Sequence, residues 1–381
     1  MEVLIGTQAL EPRWYLVSVS EHLERLGHDV HVFAAEPGPE TVDEELRVVT
    51  VARGLPLAPD VVYSQDAYAA LLLADLYPLT PQAFAAHGGA EQVWLPPQLA
   101  GVVARVVVFD DHTAERVRAA ALPQEVVRLR RPVDTQRITP RGALPDRPRR
   151  VQLALDGLSD YRRGLVQRAC AHARIEPAAD GDFAIAHGPA VLEAMAAGLP
   201  VYVYGEEGAD GWVTPERYEL LEADGFSGRA ESTATAFERL RSDLDAYDPA
   251  MGPANRELAL AHDPRGHAQE LAAAFDGLAP RTSRVDAPLR ELARLVRIET
   301  AAARRADAAA AAAQVARDRA YELERDLVEA RRRSDELAER IAELKRALRR
   351  AEARLDQAET HKGRGVRALL GREAKSPSTE G

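Results

Sequence analysis

The stretch from residue 182 to residue 201 contains the residues best suited to binding chemistry. An apolar run ends at His187, and Gly188-Pro189 then precedes a helical pattern, which predicts a strand, a turn and a helix start. Backbone N–H groups in such a turn, here Gly188 to Ala190, are suited to a diphosphate. Glu193 follows one turn into the helix, where a carboxylate can accept two hydrogen bonds from a ribose diol. The alternative is that Glu193 only favours the positive helix end.

Short apolar runs alternate with helical patterns on both sides of this stretch. Val3–Ile5 and Val30–Phe33 are early examples, and the alternation resumes after the segment Pro132–Arg150, which is rich in proline and arginine. Nearly continuous apolar strands between helices are typical of a parallel sheet covered on both faces. We therefore predict an α/β fold of two facing Rossmann-like domains, at residues 1–135 and 136–285, with any ligand in the cleft between them.

The C-terminal quarter of the sequence has a different pattern. From Leu292 to Ala358, apolar positions recur at alternating steps of three and four residues, and only Glu299 and Ser334 are polar in that series. Charged residues fill the flanking positions. This pattern predicts a long α-helical coiled coil at residues 289–360, a rod of roughly 100 Å. A single solvated helix is the alternative, but pairing would cover the apolar seam, so we expect a homo-oligomer.

Composition excludes several classes of partner. The 381 residues have a formal net charge of −11, which argues against nucleic acid as a partner. Cys170 is the single cysteine, so an intramolecular disulfide and a cysteine-based metal site are excluded, and we predict a small core residue there. No uncharged run reaches ~18 apolar residues, and no signal-peptide pattern is present, which together predict a cytoplasmic protein.

One segment resembles a known family. Leu192–Val201, which reads LEAMAAGLPV, is similar to the donor-binding signature of glycosyltransferase family 4. Members of that family are retaining enzymes with two facing Rossmann-like domains, an arrangement called GT-B. Other segments resemble the same family in the same chain order: Glu21–Val30, Asp60–Asp66, Ala86–Gly88, Arg131–Thr135 and Gly211–Glu216. The resemblance covers residues 1 to 280 approximately.

The resemblance implies roles in binding a nucleoside-diphosphate sugar. Glu193 would bind the ribose, Gly188 and the turn through Ala190 would face the diphosphate, and His87 would be the catalytic residue, pointing toward the transferred sugar. Each histidine at a strand end has an alternative, since it can form a local hydrogen bond or cap a turn. Three further residues would line the donor cleft: Gly6, Asp66 and His187.

Three features depart from the family pattern. The family has a glutamate eight residues before Glu193, and that position is Ile185. The loop from Gly6 to Arg13 lacks the second glycine of the family's glycine-rich loop. No arginine or lysine matches the residues that neutralise the diphosphate, and the nearest candidates are two arginines at a predicted helix start, which could also be simply solvated: Arg162 and Arg163.

Two functions of different classes follow from these residues. The first is a retaining glycosyltransferase that moves a sugar from a nucleoside-diphosphate sugar to an unknown acceptor, with no cofactor and no metal. The second is a degenerate, catalytically inactive transferase fold that serves as a binding head on a structural coiled-coil rod. The missing glutamate favours the second, and the intact segment Leu192–Pro200 favours the first, which we adopt. A sugar-nucleotide epimerase on the same plan is a third interpretation.

The last residues form a basic segment. Residues 361–375 contain five lysines and arginines against one glutamate, and Val366, Leu369 and Leu370 can share one helical face. We predict a disordered, solvated tail at residues 361–381, because three glycines weaken any helix. The alternative is peripheral contact with an anionic membrane surface, which would hold the protein at the inner face of the membrane.

Overall fold

The N-terminal part of the chain forms a sheet of seven strands. The computed structural model describes residues 1–8, 13–36, 48–49, 54–88, 101–120, 124–155, 157–206, 208–231, 237–280 and 287–370. The strands are β1 (Glu2–Thr7), β2 (Asp29–Ala34), β3 (Val48–Val49), β4 (Val61–Ser64), β5 (Gln82–Ala86), β6 (Arg105–Val108) and β7 (Glu125–Arg128). The helices among them are α1 (Arg13–Arg25), α2 (Ala67–Leu76) and α3 (Asp111–Ala119).

This first sheet is parallel throughout and has the order β3-β2-β1-β4-β5-β6-β7. Its central strands are apolar because both of their faces are covered, and Val3–Ile5 and Val61–Tyr63 are accordingly buried. The strand order reverses between β1 and β4. In open sheets of this kind, ligands bind beyond the carboxyl ends of the strands near such a reversal.

The second sheet has five strands in the order β12-β11-β10-β8-β9. Its strands are β8 (Arg150–Ala154), β9 (Glu176–Pro177), β10 (Phe183–Ala186), β11 (Val201–Tyr204) and β12 (Ala209–Trp212). Its helices are α4 (Asp160–His172), α5 (Pro189–Ala196), α6 (Tyr218–Ala223), α7 (Phe237–Leu244) and α8 (Met251–Ala259).

The edge strand β12 corrects the expectation of a purely parallel sheet. β12 pairs with β11 in the antiparallel direction, whereas the other pairs of this sheet are parallel. The reason is the short connection between the two strands, where the Gly205 N–H donates to the Gly208 carbonyl at 2.8 Å. A turn this tight joins antiparallel strands, because a parallel neighbour needs a crossover of a dozen or more residues.

Helix α9 (Pro264–Phe275) packs on the first sheet, although it lies in the range predicted for the second domain. Its buried residues Ala268, Leu271 and Phe275 belong to the same core as α1 and the strands of the first sheet. An apolar stripe on a helix indicates that one face is buried but not which sheet covers it, and the predicted range 136–285 follows chain position alone.

Two buried histidines join the chain segments that connect the domains. The Nδ1 atom of His262 lies 2.6 Å from the Arg131 carbonyl, and the Nδ1 atom of His267 lies 2.8 Å from the Arg130 carbonyl. The Val133 N–H donates to the His262 carbonyl at 3.0 Å. Burial lowers the pKa of each imidazole to about 4, so both histidines are neutral at pH 7.

We expect these two histidines to make the protein less stable in mild acid. A histidine with a lower pKa in the folded state binds fewer protons than it does when unfolded. Its contribution to stability is therefore present above pH 6.5 and is lost as the pH falls toward 4, by ~3 kcal/mol for each histidine. Urea unfolding from pH 7.5 to pH 4.5 measures this loss. His267→Asn should have a shallower pH dependence, and an unchanged slope would contradict the assignment.

The long helix α10 (Ala287–Leu370) begins on the first sheet. Ala293 is buried beside α2, and the Arg290 guanidinium binds both carboxylate oxygens of Asp75 at 2.9 to 3.0 Å. The chain divides into two compact units, Met1–Thr300 and Ala301–Gly381. Pairing of this helix with a second copy stays a prediction.

The end of α10 differs from the predicted basic tail. Residues 361–370 are helical and continue α10, whereas the prediction placed them in a disordered segment. The remainder of that prediction, residues 371–381, lies outside the described residues, and contact with a membrane surface stays a prediction. Within the part of the chain that the structure describes, no helix combines the length and apolarity needed to span a membrane.

Candidate functional site

A cavity of about 460 Å³ lies between the two domains, at the carboxyl ends of their strands. On the side of the first sheet it is lined by His87, Gly88, Asp110, His112, Thr113, Arg116 and Arg131. On the side of the second sheet it is lined by Gly157, Leu158, His187, Gly188, Pro189, Glu206, Asp224, Gly225, Ser227 and Arg229. Three predicted site residues therefore meet here, namely His87, His187 and Gly188.

Glycine allows the two domains to approach closely at one edge of this cavity. Gly225 has a φ of +67°, and a Cβ added there would lie 3.1 Å from the Cβ and Cγ atoms of Asp110. The Asp110 carboxylate accepts hydrogen bonds from the Thr113 N–H at 2.6 Å and from the Thr113 hydroxyl at 2.9 Å. Asp110 therefore serves as the N-cap of α3, and Gly225 is small enough to fit against it.

The N-terminus of α5 faces the cavity without a side-chain cap. Gly188 is the N-cap residue with a φ of +58°, and Pro189 has no N–H. The Val191 N–H donates back to the Gly188 carbonyl at 3.1 Å. Among the described residues, no acceptor is recorded for the N–H of Ala190. An uncapped helix start has a partial positive charge and is suited to an anion.

Glu193 lies one turn further along α5 and does not line the cavity itself. Its side chain is exposed, and its carboxylate forms no hydrogen bond or ion pair with another described residue. The surrounding protein still removes part of the water around the carboxylate, which raises the pKa of Glu193 above its ordinary value. Glu193 is thus a carboxylate with both oxygens available, on the helix whose start faces the cavity.

His87 is held in a defined orientation by its neighbours. Its Nε2 atom lies 2.8 Å from Gln65 Oε1, and its ring stacks on Phe109 with the centroids 5.1 Å apart. Burial and the nearby Arg131 guanidinium lower the pKa of His87 well below its ordinary value. The imidazole is therefore neutral, with Nε2–H donating to Gln65. Its Nδ1 has no partner among the described residues and can only accept a hydrogen bond.

Arg131 is a buried cation that no sequence pattern marked as a site residue. Its side chain is only 9% exposed, its guanidinium lies 4.6 Å from the Phe109 ring centroid, and it donates to the His87 carbonyl at 3.1 Å. No carboxylate of the described residues lies within ion-pair distance of it. The sequence contained Arg131 in the segment Arg131–Thr135, but no pattern there indicated that its charge would border a cavity.

Two predicted residues of the donor cleft have structural roles outside the cavity. The Asp66 carboxylate accepts from the Ala69 N–H at 2.8 Å and from the Gln8 N–H at 2.6 Å, so it caps α2 and holds the chain after β1. A Cβ on Gly6 would lie 2.2 Å from a methyl group of Leu73, so glycine is needed there for packing against α2. Residues 9–12 of the predicted glycine-poor loop lie outside the described residues.

The predicted diphosphate cations, Arg162 and Arg163, do not line the cavity either. Arg163 pairs with Asp160 at 3.0 Å on the same helix, a surface ion pair of small energy. The positive charge of Arg162 acts on Tyr204, whose pKa burial raises. The two residues lie in the first turn of α4, which begins at Asp160 and is not part of the cavity lining.

The position of the missing glutamate lies in the core. Ile185 is a fully buried residue of β10, and only His187 and Gly188 separate this strand from α5. The residue eight positions before Glu193 therefore falls inside the strand, where its side chain belongs to a hydrophobic core cluster.

One group of carboxylates and histidine in the described residues could hold a metal ion, and it lies away from the cavity. Atoms of Glu2, Asp29 and His31 come within 4.8 Å of one another, where β1 and β2 begin or nearly begin. The cavity borders the opposite, carboxyl ends of the strands. Among the described residues, no such group lines the cavity.

Comparison with known proteins identifies the fold. No protein-family model matches the sequence, and no curated protein matches it either. HepE from Anabaena, solved in complex with UDP-glucose, matches with a TM-score of 0.52 at 13% identity, over 73% of this chain and 100% of that chain. A glycosyltransferase from Rickettsia africae ESF-5 matches with a TM-score of 0.50 at 11% identity, over 73% of this chain and 98% of that chain.

These matches confirm the predicted pair of α/β domains, which have the GT-B fold of glycosyltransferases. At this level of identity the likeness establishes the fold alone, because one fold can support unrelated activities. Membership of family 4 stays a prediction.

Proposed function

We propose that this protein is a retaining glycosyltransferase that binds a nucleoside-diphosphate sugar in the cavity between its two domains. The observation that supports this most is the geometry of α5, whose uncapped start lines the cavity and whose Glu193 carboxylate has no partner among the described residues. Such a helix can bind a diphosphate at its start and a ribose one turn later. HepE, which has the same fold, was solved with UDP-glucose.

Each part of the donor has a proposed contact. The diphosphate lies at Gly188 and Ala190, and the two ribose hydroxyls donate to Glu193. The transferred sugar lies toward His87, whose ring is held at the cavity by Gln65 and Phe109. A neutral imidazole contributes orientation here rather than charge. The acceptor enters from the side of the first sheet, and its chemical identity is open.

The test is binding of nucleoside diphosphates. Wild-type protein, titrated with UDP, GDP, ADP and dTDP, should bind one of them, and that ligand should raise the melting temperature. Glu193→Gln should reduce the binding free energy of the best ligand by ~1–3 kcal/mol, because charge-assisted hydrogen bonds are lost. Glu257→Gln, which replaces an exposed glutamate on α8, is the matched control and should bind as wild type does. Equal affinity of the Glu193 variant would show that this residue has no part in binding.

The buried position of Ile185 supports a second candidate function, a donor-binding head without transfer. Ile185 occupies the position at which the family has a second glutamate, so this chain has an apolar core residue there instead of a carboxylate. Hydrolysis of the sugar nucleotide in the absence of an acceptor separates the two functions. Release of nucleoside diphosphate by the wild type, lost in His87→Ala, supports a transferase. Tight binding with no release supports the binding head.

We also propose that α10 forms a coiled coil with a second copy of this chain. Leu323, Leu327, Leu337, Ile341 and Leu344 are exposed apolar residues of its heptad series. Full-length protein should be a dimer or higher oligomer, whereas a chain ending at Thr300 should be a folded monomer, because the first unit ends there. Light scattering measures both masses. A full-length monomer would contradict the pairing.

A further inference from the structure

Arg131 is a charged side chain in an unusual setting. It is nine-tenths buried, and no described carboxylate is close enough to pair with it. Burial lowers the pKa of Arg131, although the charge of Asp110 acts in the opposite direction. A guanidinium stays charged at neutral pH even when buried. A buried charge without a counterion is unfavourable unless a partner of opposite sign compensates it.

The cavity offers the place for that partner. Arg131 and Gly188 both line the large cavity, and both also line a smaller one with Phe109, Leu192 and His262. The guanidinium and the positive end of α5 therefore approach the same space from opposite domains. Glu222 also lines the smaller cavity, but it pairs with Arg128. The guanidinium and the helix start are therefore two separate sources of positive charge that favour an anion between them.

Other groups hold Arg131 in place. The guanidinium lies over Phe109 and donates to the His87 carbonyl, and the Arg131 carbonyl lies 2.6 Å from His262 Nδ1. The side chain and backbone are thus fixed before any ligand arrives. A preorganised cation stabilises a bound anion without the cost of reorganisation. Arg229 differs, because Asp224 pairs with it at 2.5 Å.

We propose that Arg131, in the segment that links the domains, is the residue that neutralises the diphosphate of the bound donor, assisted by Arg116 on α3. The arginines at the start of α4 do not have this role. The proposal rests on the proposed function, since the diphosphate belongs to the sugar nucleotide. Because Arg131 contacts both domains, the diphosphate that it binds also fills the space between them.

The test separates binding of the diphosphate from binding of the nucleoside. UDP, uridine and inorganic pyrophosphate are titrated into wild type, Arg131→Gln, Arg116→Gln and the control Arg163→Gln, with unfolding curves to verify folding. If another base binds better in the nucleotide panel, its nucleoside and diphosphate replace uridine and UDP. Arg131→Gln should bind the diphosphate 10- to 100-fold more weakly and the nucleoside within about twofold of wild type, while Arg163→Gln binds both unchanged.

Two results would overturn the proposal: unchanged diphosphate affinity in Arg131→Gln, or equal losses for the nucleoside and the diphosphate. If Arg131→Gln does not fold, the Arg116→Gln variant tests the proposal instead. It should bind the diphosphate severalfold more weakly and the nucleoside as wild type does. Wild type that binds neither nucleoside nor diphosphate contradicts the proposed function instead. In that case the pyrophosphate titration still tests the anion site. The assignment of that site is wrong if wild type does not bind pyrophosphate or if Arg131→Gln binds it equally well.

Discussion

Replacing Gly205 with alanine is expected to destabilise the protein by about 3 kcal/mol, the cost of forcing atoms into a filled core. A Cβ at this position would lie 1.7 Å from the Ser227 carbonyl oxygen, far closer than non-bonded atoms can approach. The opposing atom belongs to backbone, so a side-chain rotation cannot relieve the clash. The segment around Ser227 lines the cavity, so its displacement should also weaken ligand binding.

Chemical unfolding of Gly205→Ala measures this cost, and Gly164→Ala is the matched control. Gly164 lies inside α4, where a Cβ would meet only the flexible end of Arg168 at 3.5 Å. The same substitution there should stabilise the protein by ~0.5–1 kcal/mol, because alanine loses less backbone entropy in a helix. If the Gly205 variant unfolds at the same urea concentration as wild type, the close packing of these two backbone segments is wrong.

Replacing Arg128 with methionine should destabilise the protein by a comparable amount. The substitution removes an ion pair that joins the two domains and leaves the buried Glu222 carboxylate without this partner. Arg128 on β7 contacts Glu222 on α6 with a nitrogen–oxygen distance of 2.5 Å. The Glu222 side chain is only 4% exposed, and burial raises its pKa even with Arg128 present. Without the arginine, the buried Glu222 carboxylate loses the cation that compensates its charge. We expect a loss of about 3 kcal/mol at neutral pH.

The pH dependence tests the cause of that loss. Removing Arg128 should raise the pKa of Glu222 further, so the folded variant binds more protons than the unfolded chain. The penalty is then largest at pH 8 and shrinks as the pH falls through the raised pKa. The double variant Arg128→Met/Glu222→Leu removes the charge altogether and should recover most of the stability. A loss that is independent of pH and persists in the double variant would assign the effect to packing.

The sequence by itself determined the alternation of elements and the residues that stand at strand ends. Period and composition are local signals, and the apolar runs Val3–Ile5 and Val30–Phe33 lie within β1 (Glu2–Thr7) and β2 (Asp29–Ala34) of the structure. The turn before α5 was also visible, because Gly188 and Pro189 are local signals of a helix start. His87, His187 and Gly188 lie on the cavity for the same reason: strand ends of parallel sheets face one edge.

Only the tertiary structure decided which charges border the cavity and where α9 packs. Asp66 and Gly6 stand at strand ends as expected, yet neither lines the cavity. Backbone N–H groups donate to the Asp66 carboxylate, and Leu73 packs against Gly6. Arg131 and Gly188 are 57 positions apart along the chain, and they meet only because the two sheets face each other. Period and spacing report the neighbours of a residue along its own element. The position of a charge across a cleft depends on how two separately folded sheets are joined, and no local pattern records it.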